Sequence, residues 1–512
     1  MTQRLCIGIQ ELSPEWKNIL IELGVWFEEA AYTDTFYTDY SLIILNKKPN
    51  GKQFSQLKGY VESGGSVLEL KDLHSFFTKR EVKRSFKKTL INRTSNPAFD
   101  HIPFLDLNDE AVTHRDSSLF DGLVHFKAHE KGCLGFIGAD IPALIQSTEY
   151  KRKRFYARNL SCPDEIVSKV SKHELMDVFR SVLAELHFKR GLPFIHKWTS
   201  PNQKPVFCFR IDSDFGDRKS VWNLYHVLDK HNIKATWFLH TGAHEDWLSE
   251  FKSLENQEIA FHGYKHGASN KLNRIQSNIK KGFDLLESEK FDIDGFCAPY
   301  GIWNKALEKA LSQFNFSYTS EFTFKYDGFP TYVSGEKENL QIPIHPICTG
   351  SLKRRKYTEV EMTNYFKQVL NYKSARFEPV IFYHHPLQPG LNVIEDILGQ
   401  IMQQEFVNLT FSEFAQFWRN RTEQTFKAVI KNGKLEIQTE KESKELLFTV
   451  ANDHNGFHLL KTLDSSSDLK NYPIYNYSKR YLPNPQEIMD MRKTDLRLIK
   501  TSLLDWKNRI RL

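Results

Sequence analysis

Four segments of this 512-residue chain place reactive or turn-forming residues directly behind short apolar runs. Val206–Ile211 leads into Asp212-Ser213-Asp214, and Ile259–His262 continues as Gly263-Tyr264-Lys265-His266. Gly295–Ala298, with Cys297 inside it, leads into Pro299-Tyr300-Gly301, and Ile381-Phe382-Tyr383 ends in His384-His385-Pro386. Two carboxylates one residue apart behind an apolar strand are costly unless they are paired or bind a cation. Two histidines at i and i+4 share one face of a helical turn and lie within reach of one metal ion. Read singly, each segment is ordinary. The aspartates alone are better read as a helix cap or Asx-turn, the histidine pair arises by chance in a chain with 19 His, Pro-Tyr-Gly is a common turn, and a strand-end histidine is usually a core residue.

The elements that must position these residues alternate regularly. Short apolar strands are expected at Val206–Ile211, Ala235–His240, Ile259–His262, Gly295–Ala298, Phe316–Thr319, Leu340–Ile344, Pro379–His384 and Phe406–Phe411. Between them, Ile275, Ile279, Phe283 and Leu286 mark one amphipathic helix, and Val360, Tyr365, Phe366 and Leu370 mark another. About eight β/α units in roughly 220 residues suit a distorted (β/α) barrel. All four segments then fall at the C-terminal ends of strands, where barrel enzymes place their chemistry.

Taken together, in order and spacing, the segments resemble the polysaccharide deacetylase family, also called the NodB-homology domain, over about Lys204–Arg421. The resemblance implies Asp212 as catalytic base, Asp214, His262 and His266 as ligands of a divalent metal, and His385 as the acid. Strand alternation turns His384 to the opposite face, which favours His385. It also implies Pro299 and Tyr300 as the third motif, with the Tyr300 backbone N–H at the oxyanion. One carboxylate and two imidazoles suit Zn²⁺ with open positions. The implied activity is removal of an N-acetyl or related acyl group from a sugar, polysaccharide or glycoconjugate precursor, releasing a carboxylate and a free amine. Cys297 stands where the family has an arginine holding the base, and Arg210, two residues before Asp212, is a candidate substitute. The Asp-rich fourth motif is not evident; Glu321 or Asp327 is a candidate to orient His385. Two other functions fit the same residues: hydrolysis of a different non-peptide C–N bond, such as a cyclic ureide or formamide, and a silent carbohydrate-binding module.

The flanking segments have a different character. Residues 1–192 read as an α/β domain, with strands around Leu42–Leu45, Ser66–Leu70 and Cys133–Ile137 and helices around Phe54–Val61, Pro163–Val170 and Lys172–Leu186. Its rhythm resembles glutamine-amidotransferase-like flavodoxin-type folds. Gly132-Cys133-Leu134-Gly135 lacks the spacing of their nucleophile elbow, so this domain is expected to be non-catalytic, serving assembly or substrate presentation. The proline-containing stretch 191–205 reads as a connector to the barrel at 200–421. Residues 425–512 are expected to form a small β-rich region, with Asn432-Gly433 as a hairpin turn, and a basic terminal helix from Pro485.

Composition excludes little. A net charge of +7 over this length does not argue for nucleic acid. The six cysteines form no CxxC pair, which disfavours a disulfide framework or thiolate zinc site. The basic runs Lys151–Arg154 and Lys353–Lys356 read as solvated loops, the second with a lesser prospect of holding phosphate. His345 reads equally as a pocket residue or a packed one. With no signal-peptide core and no run of about 18 apolar residues, a cytoplasmic protein is expected. Oligomeric state is not legible.

Overall fold

The computed structural model describes every residue except 1, 34, 74–76, 78–81, 95, 115–119, 159, 334–338, 405, 441–445, 462–471, 478–482, 494–495, 497 and 504–512. The chain forms two compact units. One comprises Met1–Gln146, Val170–Gln203 and Trp418–Pro485, the other Ser147–Lys169, Lys204–Phe417 and Gln486–Leu512.

The second unit carries the chemistry-bearing segments. Its central strand, Val206–Asp212, is buried along its whole length, as a parallel strand covered on both faces must be. It pairs in parallel with Val380–His384 on one side; on the other its C-terminal half pairs with Thr236–Leu239 and its start with Val407–Asn408. Beyond Thr236–Leu239 the parallel order runs through Glu258–Phe261, Gly295–Phe296, Tyr318–Thr319 and Asn339–Gln341. Thr331–Val333 adds an antiparallel edge. All eight expected strands are present, several shorter than the apolar run that announced them. The edge strand was not foreseen, because three residues carry no readable alternation. Past the end of the sheet, the His345 N–H donates to the Ile381 carbonyl at 2.8 Å and Tyr383 Oη to the Pro346 carbonyl at 3.1 Å. These bonds tie the segment after Asn339–Gln341 to Val380–His384 and complete a distorted barrel.

Helices Arg218–Lys230, Leu272–Ser288, Glu359–Ser374 and Leu391–Gln403 accompany the sheet. Asp217 and Thr358 cap two of them, Thr358 in a capping box with Glu361. Ile275, Ile279 and Leu286 are buried, as are Tyr365, Phe366 and Leu370. Val360 is instead exposed; it lies in the first turn, and Met362 takes the inward position.

The helix expected over Pro163–Val170 is a strand, Asp164–Ser168, antiparallel to Tyr150–Arg154. The β-branched Ile166 and Val167 favour extended backbone. The ladder also sets Glu165 opposite Lys153 and Asp164 opposite Arg154, a favourable cross-strand arrangement. Both basic runs are drawn onto this strand. Arg152 binds Asp164 at 2.8 Å, Arg355 Nε binds the same carboxylate at 2.6 Å, and Arg354 binds Glu165 at 2.8 Å. Solvated loops are therefore the wrong picture for these runs, and Arg152, Arg354 and Arg355 are already engaged by carboxylates.

In the first unit, five parallel strands lie in the order Phe27–Glu29, Ile7–Ile9, Leu42–Leu45, Ser66–Leu70, Gly132–Ile137, with Val124–His129 antiparallel at the edge. Counted along the chain this is 2-1-3-4-5, an order shared with doubly wound flavodoxin-type sheets. Cys133 lies within a strand, buried, and burial pushes its thiol up to about 11. That is no place for an exposed nucleophile. The strands expected after residue 425 form, and they pair with earlier chain: Phe426–Lys431 with Thr2–Arg4, and Leu447–Ala451 with Phe194–Lys197. Asn432 and Gly433 join Phe426–Lys431 to Lys434–Thr439 with φ of 52° and 76°, as a type I′ turn requires. Pro485–Arg492 is helical. No helix among the described residues is long and apolar enough to cross a membrane.

Candidate metal centre and active site

Asp212 ends the central strand with its side chain buried. Such a carboxylate needs a partner, and the partner is Arg210 from the same strand face. Arg210 Nε donates to Asp212 Oδ1 at 2.6 Å and Nη2 to Oδ2 at 2.8 Å. Nη1 donates to the Ser320 carbonyl at 2.6 Å. The guanidinium lies 5.1 Å from the Phe238 ring centroid. Burial works to raise the Asp212 pKa, but Arg210, His262 and His385 outweigh it and hold the carboxyl below its usual range.

Two residues on, Asp214 adopts φ of 43°. That is an unusual backbone for a residue with a Cβ, and such strain clusters at functional sites. The conformation brings its carboxylate to the two histidines. Oδ1 lies 3.4 Å from His262 Nε2 and 3.1 Å from His266 Nε2. Oδ1 is buried, and none of these approaches is a well-formed hydrogen bond. The imidazole rings are 5.2 Å apart. They do not share a helical turn, as the i, i+4 spacing suggests. The segment after Glu258–Phe261 is a loop, and Gly263 at φ of 92° turns it. His262 Nδ1 lies 2.9 Å from the Cys297 carbonyl; a proton there leaves Nε2 as the lone-pair nitrogen facing Asp214.

One ligand atom from each of Asp214, His262 and His266 lies within 4.8 Å of the others, and so do atoms of Asp212, His262 and Cys297. The first group fits a cation better. Asp212 already carries the positive Arg210, whereas Asp214 Oδ1 is an orphaned buried anion between two imidazoles. Burial, partly offset by Arg210, keeps the Cys297 thiol well above its ordinary pKa, so it is protonated and a poor ligand.

Cys297 Sγ lies 3.8 Å from Asp212 Oδ1 and 2.9 Å from His262 Nδ1. Next comes the Pro299–Gly301 turn, where Tyr300 has φ of 59° and its ring lies 4.7 Å from that of His266. Glu321 fixes this turn. Its Oε1 accepts from Ala298 N–H at 2.9 Å and its Oε2 from Gln341 Nε2 at 2.7 Å. Burial pushes the Glu321 carboxyl up to about 7.

His385 turns its Nε2 toward both aspartates, 3.5 Å from Asp214 Oδ2 and 3.9 Å from Asp212 Oδ2. Burial opposes protonation, but Asp214, Cys348 and Asp212 prevail and push its pKa up to about 10. His384 faces away as alternation requires: it is buried, its Nδ1 lies 3.2 Å from Thr349 Oγ1, and burial drives its pKa to about 3. Neither acid proposed to orient His385 does so. Glu321 holds the Ala298 turn, and Asp327 binds His345 at 3.1 Å and Lys373 at 2.8 Å. His345 is a packed residue, its Nε2 3.1 Å from Tyr365 Oη. Cys348 is the neighbour that interacts with His385.

Sequence reading missed a supporting histidine pair. His240 Nδ1 lies 2.8 Å from the Asp214 carbonyl, and its ring is 5.7 Å from His266. Ser213 Oγ accepts from His240 N–H at 2.9 Å and lies 2.8 Å from His244 Nε2. Burial lowers both histidines to about 4, so they are neutral props. The position of His240 at the end of an expected strand was the available signal.

Residues 203–319 match the family model for polysaccharide deacetylase. The chain carries a polysaccharide deacetylase domain. The matched stretch includes Asp212, Asp214, both histidines of the His-x-x-x-His segment and the Pro299–Tyr300 turn, and ends before His385. Among solved structures, the chain is similar to peptidoglycan deacetylase PdaC from Bacillus subtilis, at 15% identity over 43% of this chain and 95% of that one, TM-score 0.32. It is also similar to a CE4-family pseudoenzyme from Bacillus anthracis, at 14% identity over 52% and 90%, TM-score 0.32, and to the PuuE allantoinase, at 12% identity over 44% and 92%, TM-score 0.37. No curated protein matches the chain.

Proposed function

We propose that this protein is a metal-dependent amide hydrolase that removes an N-acetyl group from a sugar unit of a glycan or glycan precursor. The observation that carries this reading is the meeting of Asp214, His262 and His266 beside an Asp212 held by Arg210, with His385 Nε2 facing both carboxylates. The donor set fits a divalent cation, zinc before the harder metals. Bound there, the cation would polarise the acyl carbonyl and ease deprotonation of water.

The chain's own residues supply the proton movements. Asp212, kept anionic by Arg210, accepts the proton of the attacking water at a carboxylate oxygen. The Tyr300 backbone N–H donates to the oxygen that becomes negative as the carbonyl turns tetrahedral. His385 gives the proton on Nε2 to the departing nitrogen, so the products are acetate and a free amine. Glu321 holds the Ala298–Gly301 turn, and the Cys297 carbonyl and the Ser213–His240 bonds hold the ligand-bearing loops.

The test is acetate release from N-acetylated oligosaccharides by zinc-loaded and chelator-stripped protein, with a cyclic ureide and a formamide as competing substrates. Acetate from the loaded protein alone supports the proposal. Turnover of the ureide without acetate release would reassign the C–N bond, and bound glycan without any turnover would make the domain a binding module.

A further inference from the structure

A groove of about 730 Å³ lies in the second unit, beside the candidate active site. Two of its walls are the site's own loops: Tyr264 and Lys265, between the two candidate histidine ligands, and Ala298 with Pro299, next to Tyr300. The opposite wall is the first turns of Leu272–Ser288, contributing Asn273, Arg274, Ser277 and Lys281. The loop wall is fixed, since Asn278 accepts from the Lys265 N–H at 2.7 Å and donates to the Lys265 carbonyl at 3.1 Å. Lys281 is placed with its ammonium 3.8 Å from the Tyr264 ring centroid.

The charge on this lining is one-sided. Lys265, Arg274 and Lys281 line the groove, and no Asp or Glu is among its described lining residues. Of the nearby carboxylates, Asp284 binds Lys280 at 2.8 Å, while Glu245 accepts from Tyr264 Oη at 3.1 Å and also attracts Lys281; the lining itself stays positive. The 17-residue helix also starts here, and Lys271 at its N-cap makes no side-chain capping bond. Its N-terminal dipole adds to the positive potential. Amides and hydroxyls between the cations match the hydrogen-bonding surface of a sugar.

We propose that this groove is a subsite for an anionic sugar unit, bearing a carboxylate or a phosphate, next to the N-acetylated unit at the candidate metal centre. The proposal rests on the deacetylase reading and narrows its substrate to an acidic glycan. The three cations bind the anionic oxygens, while Asn273 and Ser277 face the ring hydroxyls. The anionic unit thereby seats its N-acetylated neighbour against the Pro299–Tyr300 turn.

The experiment compares a neutral N-acetylated tetrasaccharide, one alternating with uronate, and one bearing phosphate, using parent, Arg274→Glu and Lys281→Glu proteins. The parent is expected to favour an anionic probe in kcat/KM by about tenfold at low salt, with the preference shrinking as salt rises. Both variants lose that preference and keep their rate on the neutral probe. Which anionic probe gains separates carboxylate from phosphate. Equal rates on all probes, or a preference unchanged in both variants, overturns the subsite and leaves the deacetylase reading standing. Calorimetric titration of the two anionic probes into the metal-stripped protein separates the two failures. Binding that Arg274→Glu abolishes, without turnover of any probe by the loaded parent, supports the subsite and sinks the deacetylase reading. No binding of either anionic probe overturns the subsite.

Discussion

Arg210 and Asp212 stand two residues apart on one strand face, joined by two hydrogen bonds of 2.6 and 2.8 Å. Alternation along a strand makes this possible, because i and i+2 share a face. It explains why Cys297 is tolerated where the resembling family has an arginine: the carboxylate already has its guanidinium. A second arginine would set two like charges against one acid, and the small Cys297 leaves Arg210 the room.

Arg210→Gln is expected to lower kcat by about 10²-fold, at the low end of a general base's contribution. It also leaves Asp212 buried and unpaired, a change that destabilises by about 3–5 kcal/mol in comparable buried pairs. Arg210→Lys keeps the charge but not the two-pronged grip, so it separates folding from function: a thermal melt near the parent's with a reduced kcat is expected. Cys297→Ala is expected to stay within a few-fold of the parent. A large loss there, with Arg210→Lys unaffected, would transfer the holding role to Cys297.

Removing one imidazole should empty the proposed metal site. In His266→Ala, Asp214 and His262 remain, too few for a stable centre of the usual three protein ligands. Metal content measured after dialysis is expected to fall from about one equivalent to a trace, with acetate release falling in parallel. A variant that keeps its full metal would place the ion on another set, with Asp212, His262 and Cys297 the first to examine.

Much of this site was readable from sequence because parallel strands end at one rim. Once Val206–Ile211, Ile259–His262 and Ile381–His384 are recognised as strands of one sheet, Asp212, Asp214, His262, His266 and His385 must meet there, and the choice of His385 over His384 follows from alternation. What was not readable depends on contacts between distant segments. Glu321 lies 23 residues from Ala298, whose N–H it accepts, and nothing local names that partner in place of His385. Cys348 meets His385 only because the barrel closes near His345. The Pro163–Val170 segment was misread because its apolar pair fits either period; cross-strand pairing with a basic strand decided it.

Asp327 offers a pH test away from the site. Burial would raise its pKa, but Lys373 and His345 hold the carboxyl well below the usual range. A folded pKa below the unfolded value of about 3.9 means the stabilisation is complete above that value. It is lost as the pH falls from there toward the folded pKa. The stability gap between parent and Asp327→Asn is therefore expected to be flat above about pH 5 and to narrow below pH 4. Urea melts across this range measure it. A gap that stays constant down to pH 3 would show that the loss in the variant is packing and not charge.

Asp212→Asn tests the division of labour between the two aspartates. Asparagine keeps the shape and can still face Arg210, but it cannot take a proton. If Asp214, His262 and His266 suffice to hold the cation, the variant keeps its metal. If Asp212 is the base, turnover falls by roughly 10²–10⁴-fold. Metal analysis and acetate release on the same preparation read both. Loss of metal together with activity would make Asp212 a ligand, and the 3.8 Å approach of Cys297 to its Oδ1 would then mark a different centre. Retained metal with retained turnover would leave His385 as the group to test next, since its Nε2 is the other titratable atom facing both carboxylates.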